Sequence, residues 1–104
     1  MKFIHNKLVR DKIPEIIEKH NKTCVFSVLT DDDYSAALDQ KLNEEVAEYQ
    51  ESKELEELAD ILEVVYAITQ KQGHTIEELE KIRAEKFASR GGFENKIFLE
   101  EVIE

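Results

Sequence analysis

Five acidic residues lie at helical spacing on either side of a polar break near the middle of the chain. Glu44, Glu45 and Glu48 form an E-E-x-x-E pattern, and Glu57 and Asp60 form an E-x-x-D pattern. Because residues three apart share one face of an α-helix, each pattern predicts carboxylates that project from one side of a helix. Carboxylates from two such helices can together bind a divalent cation.

The turn between these two helices is expected at residues 50–53, the most polar and least periodic part of the region. Two antiparallel helices joined there pair residues whose numbers have a constant sum. This register pairs Glu45 with Asp60 and Glu48 with Glu57. At 1.5 Å of rise per residue, the pair Glu48 and Glu57 lies about 6 Å from the turn and the pair Glu45 and Asp60 about 11 Å from it. The sequence therefore predicts two stacked pairs of facing carboxylates.

Facing carboxylates need a compensating charge. Two unit charges about 5 Å apart repel by roughly 3 kcal/mol at an effective dielectric constant near 20. Such a cluster either raises the carboxylate pKa values or binds a cation. Oxygen ligands favour the hard ions Mg²⁺ and Mn²⁺ over zinc. The alternative is a solvated acidic helix face, since the chain has 24 Asp and Glu among 104 residues; the matching register of the two patterns favours the metal site.

Composition indicates a single helical globular domain over residues 1–104. Hydrophobic residues make up 41% and charged residues 37%, with three Gly and one Pro. No apolar run approaches the ~20 residues that span a bilayer, and the N-terminus lacks the apolar centre of a signal peptide. Cys24 stands alone, so we expect no disulfide and interpret it as a small buried hydrophobic residue. We expect a cytoplasmic protein.

The charge distribution argues for a phosphate ligand and against general nucleic-acid binding. The net charge is −10, which repels a polyanion. Residues 44–63 contain nine acids and one base, whereas residues 1–22 contain six bases and three acids and residues 81–96 contain five bases and two acids. An acidic centre with basic flanks suits a metal ion bound to a polyphosphate, because Lys and Arg bind the phosphate oxygens.

The fold class predicted from periodicity and caps is all-α, a four-helix bundle with short terminal strands as an option. The helices are expected at residues 13–20, 33–51, 54–72 and 76–89. Asp11 is expected to cap the first helix, with Pro14 in its first turn. Thr75 and Glu78 are expected to form a capping box at the start of the fourth helix.

Three segments outside the helices have extended or apolar character. Residues 2–9 are expected to form a short strand or an extended arm, residues 23–29 a strand or a buried extended segment, and residues 97–103 a strand or a docked tail that pairs with residues 23–29. Residues 61–68 are apolar almost all round the helix. A helix of that kind is buried on every side, so we expect a homo-oligomer, a dimer or a tetramer, with part of this segment in the interface.

The paired acidic patterns resemble the signature of the all-α nucleoside triphosphate pyrophosphohydrolases, a group that includes MazG-type enzymes, phosphoribosyl-ATP pyrophosphohydrolase and dimeric dUTPases. The segments NKLVRDKIPEII at residues 6–17 and RAEKFASRGGFENKIFL at residues 83–99 resemble the small stand-alone MazG-like proteins. The resemblance covers nearly the whole chain. Eight residues, 49–56, separate the two patterns, a shorter gap than MazG-type enzymes usually have.

The resemblance implies a role for each acidic residue of the patterns. It implies that the metal ligands are Glu45, Glu48, Glu57 and Asp60. Glu44 matches the first acid of the signature, so it and Glu45 are the catalytic candidates, with Glu44 orienting or activating the attacking water.

Basic residues outside the patterns are candidates for phosphate binding. The resemblance implies this role for Lys86 and Arg90, which share a helix face because they are four residues apart. Their alternatives are a solvated face or a salt bridge to the acids. Arg10 and Lys12 are expected to reach the site from the N-terminal segment.

The function implied by the resemblance is hydrolysis of a nucleoside triphosphate or a related small molecule. With Mg²⁺ or Mn²⁺ as cofactor, the α–β phosphoanhydride breaks to give a nucleoside monophosphate and pyrophosphate. No nucleic-acid or membrane partner is expected. The alternative is a non-catalytic helical interaction module, whose acidic face would bind a basic partner and whose apolar third helix would mediate assembly.

Overall fold

The computed structural model describes all residues from 1 to 104. It contains four α-helices and no β-strand. The helices are α1 (Ile13–Lys19), α2 (Asp31–Ser52), α3 (Leu55–Lys71) and α4 (Ile76–Arg90). The prediction of an all-α fold is confirmed, and every helix begins and ends within two residues of its predicted position.

Helices α2 and α3 form an antiparallel hairpin. α2 begins at a cap in which the Thr30 hydroxyl accepts a hydrogen bond from the Asp33 amide at 3.2 Å. It ends where Lys53 adopts the left-handed conformation, with φ of 59°. Because α3 begins two residues later, the chain reverses direction over the polar break that the sequence predicts.

Helix α4 follows α3 through a short turn that contains Gly73 at φ of 89°. The capping box is confirmed: the Thr75 hydroxyl accepts from the Glu78 amide at 3.1 Å, and the Glu78 carboxylate accepts from the Thr75 amide at 3.3 Å. Near its start, α4 borders a groove of about 250 Å³ against α3. Ile82 and Phe87, farther along α4, are 54% and 57% exposed.

The interior of the chain is small. Leu38 and Val64 are the buried apolar residues, 3% and 8% exposed, and the polar residues Glu45 and Thr69 are the others that are buried. The radius of gyration is 18.4 Å and the molecule measures 62 × 32 × 24 Å. A compact chain of this length has a radius of gyration of about 13 Å, so the single chain is elongated.

The predictions of strands are wrong, as are those of buried extended segments. Residues 2–9, 23–29 and 97–103 have no regular structure, and no backbone hydrogen bond joins the last two segments. Val25 and Val28 are 98% and 92% exposed, and Phe98 is 86% exposed. A strand needs a partner along its edge, and within one chain these apolar segments have none.

Two local predictions at the N-terminal side also need correction. Asp11 does not cap α1, because Lys12 occupies the N-cap position and no side chain caps the helix; Pro14 does lie in the first turn. Cys24 is half-buried rather than buried, with its thiol 3.8 Å from the Pro14 carbonyl oxygen. None of the four helices combines the length and the apolar character that crossing a bilayer requires.

Candidate metal centre

Charged residues share the inner faces of α2 and α3 with apolar ones. Both helices show the spacing i, i+3, i+4, i+7 of an inward face. These positions are buried or half-buried: Leu38, Lys41, Leu42 and Glu45 on α2, and Glu57, Asp60, Ile61 and Val64 on α3. The hairpin therefore directs acidic side chains of both helices into the space between them.

Three carboxylates converge in that space. Glu45, Glu57 and Asp60 each offer one oxygen, and the three oxygens all lie within 4.8 Å of one another. In octahedral coordination, adjacent ligands of Mg²⁺ are about 3 Å apart and opposite ligands about 4.2 Å apart, because each lies about 2.1 Å from the ion. The three side chains would therefore move closer together to bind one hard cation, and water or substrate oxygens would complete its coordination. The predicted pairing of Glu45 with Asp60 is confirmed.

Glu48 lies beside this triad. The adjacent Glu45 carboxyl group, with which a protonated Glu48 can share its proton, and then the negative charge of Glu45 raise the pKa of Glu48, with smaller contributions from desolvation and from the charges of Glu57 and Glu44. Two carboxyl groups can share a hydrogen bond only when one of them is protonated. The raised pKa of Glu48 therefore reflects the concentration of negative charge at the position where the sequence predicts a second pair of facing carboxylates.

Glu45 is buried, with an exposed fraction of 7%, and its Oε2 atom has no hydrogen-bond partner. The neighbouring Glu48 can donate to this carboxylate only in its protonated form. A buried acceptor without a partner costs about 1–3 kcal/mol, and more when it is charged. A cation bound by this oxygen would remove that cost, so the donor set fits a hard divalent ion.

Lys41 carries the ammonium group closest to the buried acid. Its Nζ lies 3.2 Å from Glu45 Oε1 and 3.4 Å from Glu44 Oε1, and its side chain is 15% exposed. Burial lowers the pKa of Lys41, but the contact with Glu45 and the negative charges of Glu44 and Glu45 raise it by more. The pKa of Lys41 therefore lies above its ordinary value. Lys41 therefore remains a cation inside the hairpin.

The irregular N-terminal segment also brings bases to the acidic face. Arg10 Nη2 donates to Asp60 Oδ1 at 2.7 Å, and its Nη1 lies 3.9 Å from Glu63 Oε1. Lys7 Nζ lies 3.7 Å from Glu44 Oε1. The expectation that Arg10 reaches the acidic cluster from this segment is confirmed.

The other predicted phosphate-binding bases lie outside these contacts. Lys12, Lys86 and Arg90 are exposed and form no ion pair. The alternative of a salt bridge from Lys86 or Arg90 to the acidic patterns is therefore wrong for the single chain. A role of these bases in phosphate binding stays a prediction.

Reasoning from the sequence missed Lys41. Its position carries a recognisable signal, because it lies three residues after the buried Leu38 and three and four residues before Glu44 and Glu45. A lysine on the inner stripe of a helix, one turn ahead of paired acids, predicts an internal ion pair. Lys7 pairs with Glu44 and Glu63 with Arg10, both across long sequence separations, so these two residues carry no such signal.

Comparison with known proteins gives one partial relative. A segment of 42 residues is 60% identical to a protein described as uncharacterized from Mycolicibacterium smegmatis. The match covers 40% of this chain and 43% of the relative, so it spans less than half of either protein. No family model and no solved structure matches the chain.

Proposed function

We propose that the chain is a Mg²⁺- or Mn²⁺-dependent nucleoside triphosphate pyrophosphohydrolase. One observation carries the proposal: carboxylate oxygens of Glu45, Glu57 and Asp60 converge between two helices, and Oε2 of the buried Glu45 has no hydrogen-bond partner. The reaction itself comes from the resemblance of the two acidic patterns to all-α pyrophosphohydrolases.

The acids divide into ligands and a water-orienting residue. Glu45, Glu48, Glu57 and Asp60 would hold the ion, which when bound neutralises phosphate oxygens and lowers the pKa of a bound water. Glu44 would orient the water that attacks phosphorus in line. The bond between the α- and β-phosphates breaks, and the products are a nucleoside monophosphate and pyrophosphate.

The bases would contact the phosphate chain. Arg10 is the best placed, because its guanidinium already lies against Asp60 and can exchange this carboxylate for a phosphate oxygen. We assign Lys12, Lys86 and Arg90 to the same task, through movement of their segments or through a second copy of the chain. An arginine suits this role because its planar guanidinium binds two phosphate oxygens at once.

The test is a pair of matched variants, Glu57→Gln in the cluster and Glu51→Gln on the exposed side of α2. Each protein is melted with and without millimolar Mg²⁺ or Mn²⁺ and then assayed for phosphate release from a panel of nucleotides with added pyrophosphatase. Binding of the ion to the folded state raises the melting temperature of the wild type and of Glu51→Gln. Glu57→Gln should lose both the metal response and turnover.

The metal-free form of Glu57→Gln should be at least as stable as the wild type, because one repelling charge is gone. Near-full activity of Glu57→Gln would refute the ligand assignment. A wild type that neither responds to the ions nor turns over any nucleotide would favour the acidic interaction module, whose basic partner would then be sought by binding assays.

A further inference from the structure

The two oxygens of the Glu45 carboxylate have different surroundings. Oε1 forms an ion pair with Lys41 Nζ at 3.2 Å, whereas Oε2 is buried and has no hydrogen-bond partner. Lys41 itself is restrained, because its side chain is 15% exposed and its ammonium also contacts Glu44 at 3.4 Å. Because the Lys41 ammonium occupies Oε1, Oε2 is the oxygen of Glu45 that is available to coordinate a metal ion.

We propose that Lys41 is a positioning residue that makes Glu45 a one-oxygen ligand and thereby sets which divalent ion the site prefers. This inference rests on the proposed metal site. With Oε1 occupied by the ammonium, Glu45 can offer an ion Oε2 alone. The small ion Mg²⁺ accepts single oxygens in octahedral geometry, whereas Ca²⁺ takes more oxygens and often binds both oxygens of one carboxylate. Lys41 therefore favours Mg²⁺ over Ca²⁺.

A purely electrostatic role of Lys41 has a different consequence. Removing a positive charge from the cluster would strengthen the binding of every divalent cation by a similar factor. The ratio of the Mg²⁺ and Ca²⁺ affinities would then stay constant. A positioning role changes this ratio, because the freed Oε1 becomes available to the larger ion. The ratio therefore separates positioning from charge.

The experiment measures dissociation constants for Mg²⁺ and for Ca²⁺ by calorimetry on the full chain. The variants are Lys41→Met, which removes both charge and donor, Lys41→Arg, which retains both, and Lys81→Met, which removes a charge from the exposed side of α4. Relative to the wild type, the affinity ratio should shift toward Ca²⁺ by about tenfold in Lys41→Met, a typical effect of losing a partner of a metal ligand. It should stay near the wild-type value in Lys41→Arg and Lys81→Met.

The outcomes are distinguishable. If the wild type binds neither ion, both the proposed metal site and this inference are contradicted. A wild type that binds both, with the same affinity ratio in Lys41→Met, overturns the inference alone. If circular dichroism shows that Lys41→Met is unfolded, Lys41→Leu replaces it, since leucine also removes both the charge and the donor and is favourable in a helix; an unchanged ratio in that variant also overturns the inference.

Discussion

Glu48 makes the stability of the metal-free hairpin depend on pH. Its pKa is raised above the ordinary value of 4.5, chiefly because a protonated Glu48 can share its proton with the neighbouring Glu45 carboxylate. A raised carboxyl pKa means that the folded protein binds a proton more tightly than the unfolded chain does. The stabilisation is therefore complete below the ordinary pKa and is lost as the pH rises through the folded-state pKa. A bound cation would compete with this proton, so metal stabilisation should grow over the same interval.

We expect Glu48→Gln to remove this component of the pH dependence. The measurement is the melting temperature in EDTA, over a pH series from below the ordinary glutamate pKa to above neutrality. The decline with rising pH should be shallower in Glu48→Gln than in the wild type, and Glu51→Gln on the same helix should follow the wild type. Parallel curves for all three proteins would show that Glu48 shares no proton in the folded state.

At this scale, helical spacing predicted which acids converge but did not specify which base pairs with each acid. The convergence of Glu45 with Glu57 and Asp60 follows from helical period and a fixed turn, both of which are local properties of the sequence. The partner of Asp60 is Arg10, which lies 50 residues earlier in an irregular segment whose path no periodicity specifies. Local rules therefore locate the ligands, and tertiary contacts decide which charges balance them.

Among the elements, α4 depends most on its own local interactions. It has no fully buried residue, and its apolar positions beyond the first turns are exposed. The helix therefore depends strongly on its capping box. Thr75→Ala removes the hydroxyl that accepts from the Glu78 amide and should lower the free energy of unfolding by about 1 kcal/mol.

Hydrogen exchange locates this effect within the chain. The amide protons of the first turns of α4 should exchange faster in Thr75→Ala, while those of α2 change little. Thr75→Ser retains the hydroxyl and is the control, with near-wild-type exchange. Equal acceleration across all helices would instead show that α4 unfolds only together with the hairpin.

The helices and the extended segments differ in how far the sequence specifies them. Caps and stops are local, so the capping box of Thr75 could be predicted and is confirmed, and Thr30 and Gly73 lie at helix ends in the structure. The β-branched run at residues 23–29 has the composition of a strand, but pairing depends on a partner that residue types do not supply. The same limit applies to residues 97–103. These two segments are the part of the fold that one chain leaves largely exposed.

At the scale of the whole molecule, many large apolar side chains are exposed to solvent, and burying them would stabilise the protein. Large side chains such as Phe98 and Ile103 are 86% and 88% exposed, and Leu62 on the apolar third helix is 47% exposed. Each such side chain gains about 1.5–3 kcal/mol when it is fully buried. The single chain is elongated, with a radius of gyration of 18.4 Å, and has two buried apolar residues. It therefore gains little of this stabilisation.

We therefore propose that copies of the chain bury these surfaces against one another, in a homodimer or a homotetramer. Light scattering after size exclusion should give twice or four times the mass of one chain. The double variant Phe98→Asp with Ile103→Asp should shift the protein toward the monomer, because burying two carboxylates in an apolar interface is costly, whereas Glu101→Gln on the same segment should not. A monomeric wild type whose X-ray scattering gives a radius of gyration near 18.4 Å would contradict self-assembly and direct attention to a different partner for the apolar segments.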